Sequence, residues 1–243
     1  MSLHVHLVPT LADVAVGATV VVDGAEAHHA VAVRRLAVGE RVLLTDGAGR
    51  LAEGEVTATG KARLDVEVRE VSAVPEPVPH VVVVQALPKG DRGELAVEVL
   101  TEIGVARIVP WAAARSVAVW RGERADKSLA RWRATAREAA KQSRRAWFPE
   151  VSPLASTAEA VRLVAEAPLA LVLHEEAAAP LPTDVPDRVV LVVGPEGGLA
   201  PEELAAFEEA GARTVRLGSE VLRTSTAGLA AVSALLSRTP RWG

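Results

Sequence analysis

The stretch Val74-Pro75-Glu76-Pro77-Val78-Pro79 constrains the chain more than any other, because prolines at alternate positions can continue neither a hydrogen-bonded ladder nor a helix. It reads as an extended linker over residues 74–79, and it divides two different textures. On its amino side, β-branched runs at residues 19–23, 41–46, 51–59 and 63–68, with a turn at Asp46-Gly47-Ala48-Gly49, predict a small β-barrel over residues 1–73. One helical insert, residues 26–36, interrupts those strands and carries His28, His29, Arg34 and Arg35. On its carboxyl side, over residues 80–243, apolar strands at 80–87, 107–111, 169–174, 188–193 and 213–217 alternate with helical segments. That alternation predicts an α/β domain built on a mostly parallel sheet covered on both faces. Gly104 suits the end of a helix over 94–103, and Ser156 with Glu159 forms a capping box for a later one.

Composition removes several classes of function. Apolar residues make up 49% of the chain, enough for real cores, and there is no cysteine for a disulfide or a thiolate metal site. The six histidines are not spaced with carboxylates as a ligand set, so no metal is expected. Residues 1–22 carry no basic leader and are interrupted by Asp13, and no segment approaches the roughly 18 apolar residues of a membrane span. The expectation is a cytoplasmic protein that neither is secreted nor enters a membrane.

The net charge of −4 hides an uneven distribution. Residues 1–75 hold seven basic against ten acidic side chains, whereas residues 111–150 hold ten against four. A helix predicted over 126–147 places Leu129, Trp132, Ala136, Ala139, Ala140, Ser143 and Trp147 on one stripe. Arg133, Arg137, Lys141, Arg144 and Arg145 fall on the other side. Such a face is either ordinary solvated charge or a phosphate-binding surface, where several guanidinium groups release counterions together.

The most informative local sequence is Leu191-Val192-Val193-Gly194-Pro195-Glu196-Gly197-Gly198-Leu199, followed by Pro201 at a helix start. A strand, a glycine loop and a helix allow close approach of a ligand to backbone groups. The spacing excludes a dinucleotide fingerprint, and no Walker lysine follows. A second strand-end loop, Leu217-Gly218-Ser219-Glu220-Val221-Leu222-Arg223-Thr224-Ser225-Thr226-Ala227, leads into an apolar helix over 227–236. Two such loops can converge on one crevice at the carboxyl ends of a parallel sheet.

Together these two segments resemble the paired C-terminal motifs of SPOUT methyltransferases, and ordered matches extend the resemblance over nearly the whole chain. They are His28-His29 through Arg35-Leu36 and Gly39; Leu87-Pro88-Lys89-Gly90-Asp91-Arg92; Thr101-Glu102-Ile103-Gly104-Val105; Pro110; Arg115-Ser116; and Glu138-Ala139-Ala140-Lys141-Gln142-Ser143 with Arg145 and Pro149. The chain is similar to the RsmE family of ribosomal RNA uridine-N3 methyltransferases. Two departures stand out: Ser225 lies where the family often has glutamate, and the first arginine is Arg34, later than the family commonly has one.

The resemblance implies a PUA-like β-barrel followed by a SPOUT domain with a trefoil knot, acting on N3 of a uridine in 16S ribosomal RNA or the 30S subunit as a homodimer. It implies S-adenosyl-L-methionine held by Leu173, Gly194, Glu196, Gly197, Gly198, Leu217, Gly218, Leu222, Thr224 and Ala227. Arg223 is the catalytic candidate, stabilising a deprotonated uracil, with a salt bridge to Glu196 or Glu220 as its other reading. RNA contacts fall to His29, Arg35, Lys89, Arg92, Arg115, Gln142, Arg144 and Arg145. No general base is identifiable from these residues. A SPOUT enzyme acting on transfer RNA, or a non-catalytic RNA-binding or assembly factor, would use many of the same features.

Overall fold

In the computed structural model, which describes residues 3–242, the chain forms two compact units, Met1–Glu76 with Lys141–Phe148, and Pro77–Ala140 with Pro149–Gly243. The first is built on strands β1 (His4–Leu7), β2 (Thr19–Asp23), β3 (Arg41–Thr45), β4 (Arg50–Gly60) and β5 (Arg63–Ala73), ordered β1-β3-β4-β5-β2 in one sheet. Alternation along these strands buries Val42, Leu44, Ala52, Val56, Leu64, Val66 and Val68 in one core. β1 has no counterpart in the sequence reading: four residues with histidine at two of them give no strand signal, yet they pair in parallel with β3.

The insert predicted over 26–36 is a helix, α1 (Gly24–His28), that passes into a π-helical turn at His29–Val33. It contributes Ala27 and Ala30 to the core. The chain leaves it at Arg35, which adopts the left-handed φ of 57°.

The helix predicted over 126–147 runs instead from Glu123 to Gln142 (α3, Glu123–Gln142). Arg144 takes a left-handed φ of 54°, and the residues after it run beside the 47–49 turn. The Gly49 N–H donates to the Ala146 carbonyl and the Phe148 N–H to the Gly47 carbonyl, each at 2.9 Å, while Trp147 Nε1 donates to the Val74 carbonyl at 2.8 Å. These bonds replace those that further helix would have made. Lys141 also departs from the solvated face expected of it. It is buried, with Nζ 3.0 and 3.1 Å from the two carboxylate oxygens of Glu26, whose Oε1 is also 3.3 Å from His6 Nδ1. Burial alone would raise the Glu26 pKa; the hydrogen bonds from His6 and Lys141 and their charges outweigh it and hold the pKa at about 2.

The second unit carries a six-stranded sheet ordered β11-β9-β10-β6-β7-β8, all of whose pairings are parallel. Its strands are β6 (His80–Ala86), β7 (Arg107–Trp111), β8 (Glu150–Val151), β9 (Leu169–Leu173), β10 (Arg188–Val193) and β11 (Arg213–Val215). Because β6 and β10 are apolar at nearly every position, the sheet buries both faces. Val81, Val83, Val189 and Leu191 face α2 (Arg92–Glu102), α3 and α6 (Thr224–Leu236), whereas Val82, Val84, Val190 and Val192 face α4 (Thr157–Ala165) and α5 (Pro201–Glu209). Ser156 caps α4 with the expected box. Leu235 and Leu236 of α6 are fully buried, and truncating either to alanine costs about 2–5 kcal/mol.

Candidate active site

Strands β11, β9 and β10 are parallel neighbours, so their carboxyl ends emerge on the same edge of the sheet. The loops that leave them surround a cavity of about 790 Å³. Leu173, Gly194, Glu196, Gly197, Gly198, Leu217, Gly218, Leu222, Thr224 and Ala227 all line it, and so do Arg223 and Arg115. The two loops singled out in the sequence thus share one pocket.

The loop after β10 is held from several sides. Gly198 turns with a φ of 70°, and its N–H donates to the Pro195 carbonyl at 3.0 Å. A Cβ on Gly197 would lie 3.1 Å from the Arg115 carbonyl oxygen, so glycine there permits the close approach of the Arg115 segment. Arg115 Nη1 donates back to the Gly197 carbonyl at 3.4 Å. Glu196 Oε1 accepts the Lys89 N–H at 3.2 Å. Its carboxylate therefore faces the loop after β6, while the residue still lines the cavity.

Arg223 is the exposed residue immediately before α6, in extended backbone, and its carbonyl accepts the N–H groups of Thr226 and Ala227 at 2.9 Å each. These bonds fix the base of the side chain at the cavity wall. Among the described residues no carboxylate forms an ion pair with it, neither Glu196 nor Glu220. Thr224 and Ser225, the first two residues of α6, are buried.

The cavity also gathers side chains that the sequence reading did not single out: His174, Glu175, Glu176, Arg216 and Ser219. The signal for the first three was the end of β9, which lies beside β10 in the sheet, since parallel sheets place ligand loops at strand carboxyl ends. His174 Nδ1 accepts the Glu176 N–H at 3.2 Å, which leaves the neutral ring's proton on Nε2. In all, four carboxylates (Glu175, Glu176, Glu196, Glu220) and three guanidinium groups (Arg115, Arg216, Arg223) line the pocket.

The other candidates lie elsewhere. Lys89 is exposed on the loop after β6 and Arg92 is half-buried at the start of α2. His29 is exposed in the π-helical turn and Arg35 is exposed just beyond it, Gln142 and Arg144 are exposed at and beyond the end of α3, and Arg145 is half-buried.

Two family models match this chain: an RNA methyltransferase domain over residues 74–236 and an RNA methyltransferase PUA domain over residues 22–69. The first spans the sheet and both glycine loops, so fold and pocket together define an RNA methyltransferase. At the level of sequence, the chain is 50% identical to the ribosomal RNA small subunit methyltransferase E of Mycobacterium bovis, covering 97% of this chain and 92% of that protein. The chain belongs to the ribosomal RNA small subunit methyltransferase E family. Solved structures agree. The family member from Neisseria gonorrhoeae, crystallised with S-adenosyl methionine, superposes with a TM-score of 0.86 at 28% identity, covering 97% of this chain and 98% of its own. A methyltransferase from Legionella pneumophila in complex with the same cofactor superposes with a TM-score of 0.88 at 27% identity, over 98% of each chain.

Proposed function

We propose that the protein transfers the methyl group of S-adenosyl-L-methionine to N3 of a uridine in the RNA of the small ribosomal subunit. The observation that carries this reading is the convergence of residues 194–199 and 217–223 on one cavity with Arg223 in its wall. Its volume of about 790 Å³ lies within the usual range for a cofactor-sized ligand. The residues present suit that ligand. Leu173, Leu199, Leu217 and Leu222 offer apolar surface for an adenine ring, and the backbones of Gly194, Gly197, Gly198 and Gly218 allow close polar contacts. Glu196, Thr224 and Ala227 complete the wall, and the excess of carboxylates over guanidinium groups favours a ligand that carries a sulfonium and an ammonium.

When bound, S-adenosyl-L-methionine supplies a methyl group activated by the charge on its sulfur. The chain's own residues supply position and charge. Arg223 balances the negative charge of the uracil once N3 has lost its proton. Arg115, Lys89 and Arg92 of the second unit, and His29, Arg35, Gln142, Arg144 and Arg145 of the first, hold RNA phosphates and riboses. In this reading residues 1–73 grip RNA, residues 80–243 carry the chemistry on a knotted SPOUT domain, residues 74–79 join them, and the working form is a cytoplasmic homodimer.

Mass spectrometry of digested small-subunit RNA from cells lacking the protein tests the assignment. One N3-methyluridine should be missing; if every modified uridine remains, the substrate is wrong. Calorimetry with S-adenosyl-L-methionine tests the enzyme reading separately, because absence of binding would leave only an RNA-binding or assembly role.

A further inference from the structure

Glu203 lies on the first turn of α5 and is only 5% exposed, yet its carboxylate does more than end a helix. Oε2 accepts the Ala200 N–H at 3.2 Å, an ordinary capping contact. Oε1 reaches outside the helix and accepts the Ala114 N–H at 2.8 Å and the Thr157 hydroxyl at 3.0 Å. The Thr157 oxygen in turn accepts from Trp111 Nε1 at 3.2 Å, and the Trp111 ring meets Phe207 of α5 edge-on at 5.3 Å. A buried carboxylate is costly unless every lone pair is used, and a serine or threonine at the cap would have ended the helix without that cost. The arrangement instead fastens residues 111–114 to the helix that begins just after the Gly194–Gly198 loop.

The segment so fastened carries Arg115, whose carbonyl and guanidinium both meet Gly197. Glu196 likewise takes the N–H of Lys89. Two basic loops are thus tied to the Gly194–Gly198 loop of the cavity wall.

We infer that Glu203, acting through Thr157 and the Ala114 backbone, is a positioning residue that couples occupancy of the cofactor pocket to the grip of Arg115 on RNA. The inference rests on the reading that this pocket takes S-adenosyl-L-methionine and that Arg115 meets RNA. A ligand that orders the glycine loop also orders the Arg115 segment, so a second ligand that uses Arg115 binds at a smaller entropic cost. Linkage makes the effect reciprocal: each ligand tightens the other by the same factor.

The test measures the affinity of small subunits, purified from cells lacking the protein, for the full chain with and without saturating S-adenosyl-L-homocysteine. Wild type, Glu203→Gln and Thr157→Val are compared. In Glu203→Gln the amide cannot accept from all three donors, and Thr157→Val removes the bridging hydroxyl at nearly constant volume. In wild type the cofactor product should tighten subunit binding about tenfold. In both variants that ratio should fall below about twofold, while affinity for S-adenosyl-L-homocysteine alone changes by less than about threefold.

A purely structural role would lower the melting temperature and weaken both ligands while leaving the ratio intact, and that result overturns the inference. A wild-type ratio of one overturns it as well. If Glu203→Gln does not fold, the ratio in Thr157→Val decides alone. A wild type that binds no S-adenosyl-L-homocysteine overturns instead the cofactor reading beneath it.

Discussion

The two loops that wall the cavity are built in opposite ways. Residues 194–199 are held from three neighbouring segments: Glu196 takes the Lys89 N–H, Gly197 meets Arg115, and the helix that follows is tied back through Glu203. Residues 217–222 are fastened mainly at their ends, by the Arg216 N–H on the Ala179 carbonyl at 2.9 Å and by the Arg223 carbonyl capping α6. Between those points Val221 is 75% and Leu222 40% exposed, unusual for apolar side chains beside a pocket. One wall is tied to neighbouring segments, so that what a ligand does to it reaches them, whereas the other has apolar surface to bury when a ligand arrives. Close packing should therefore matter most in the first wall and side-chain chemistry most at the end of the second.

The largest effect is expected at Arg223. Arg223→Ala should lower methyl transfer on the order of a hundredfold or more, while the affinity for S-adenosyl-L-homocysteine stays within about threefold. Steady-state kinetics and calorimetry on the same preparation check this, and equal losses in both would make Arg223 part of the cofactor wall. Next comes the pair Gly197→Ala and Gly218→Ala. The added methyl meets the Arg115 carbonyl at 3.1 Å in the first case, but only the Glu220 carboxylate at 3.5 Å, an ordinary contact, in the second. Calorimetry should give on the order of tenfold weaker binding for Gly197→Ala and less than about threefold for Gly218→Ala. The reverse order would mean that the second wall is the rigid one.

The smallest effect lies outside the cavity. The Glu26 pKa of about 2 lies below the ordinary 4.5, so its contribution to stability is complete above about pH 4.5 and is lost as the pH falls towards 2. Glu26→Gln should therefore melt on the order of 5 °C lower at pH 7 and differ little from wild type near pH 2, as followed by circular dichroism. A melting difference that is constant with pH would remove the carboxylate's charge from the explanation.

Much of the catalytic unit was legible because its signals are local. The strand at 188–193 is bounded as expected, α4 begins with its capping box, and both glycine loops follow strands of the parallel sheet, although β11 is shorter than the expected 213–217. What escaped depends on contacts distant in sequence. Glu26 and Lys141 are 115 positions apart, so no periodicity could show that the lysine turns inward to pair with the glutamate. The early end of α3 lacked its usual glycine marker, since Arg144 itself takes the left-handed conformation. β1 is four residues long and exists by pairing with β3. At the pocket, His174 to Glu176 were missed because nothing in that tripeptide resembles a ligand loop; only the place of β9 beside β10 brings it there.

The most direct test of a single pocket formed by two converging loops is amide hydrogen exchange of the wild-type chain with and without S-adenosyl-L-homocysteine. Exchange should slow in both residues 194–199 and residues 217–222, and by the larger factor in the second, which has fewer bonds of its own. Slowing confined to one of the two loops, or in neither, would contradict a shared pocket for the methyl donor.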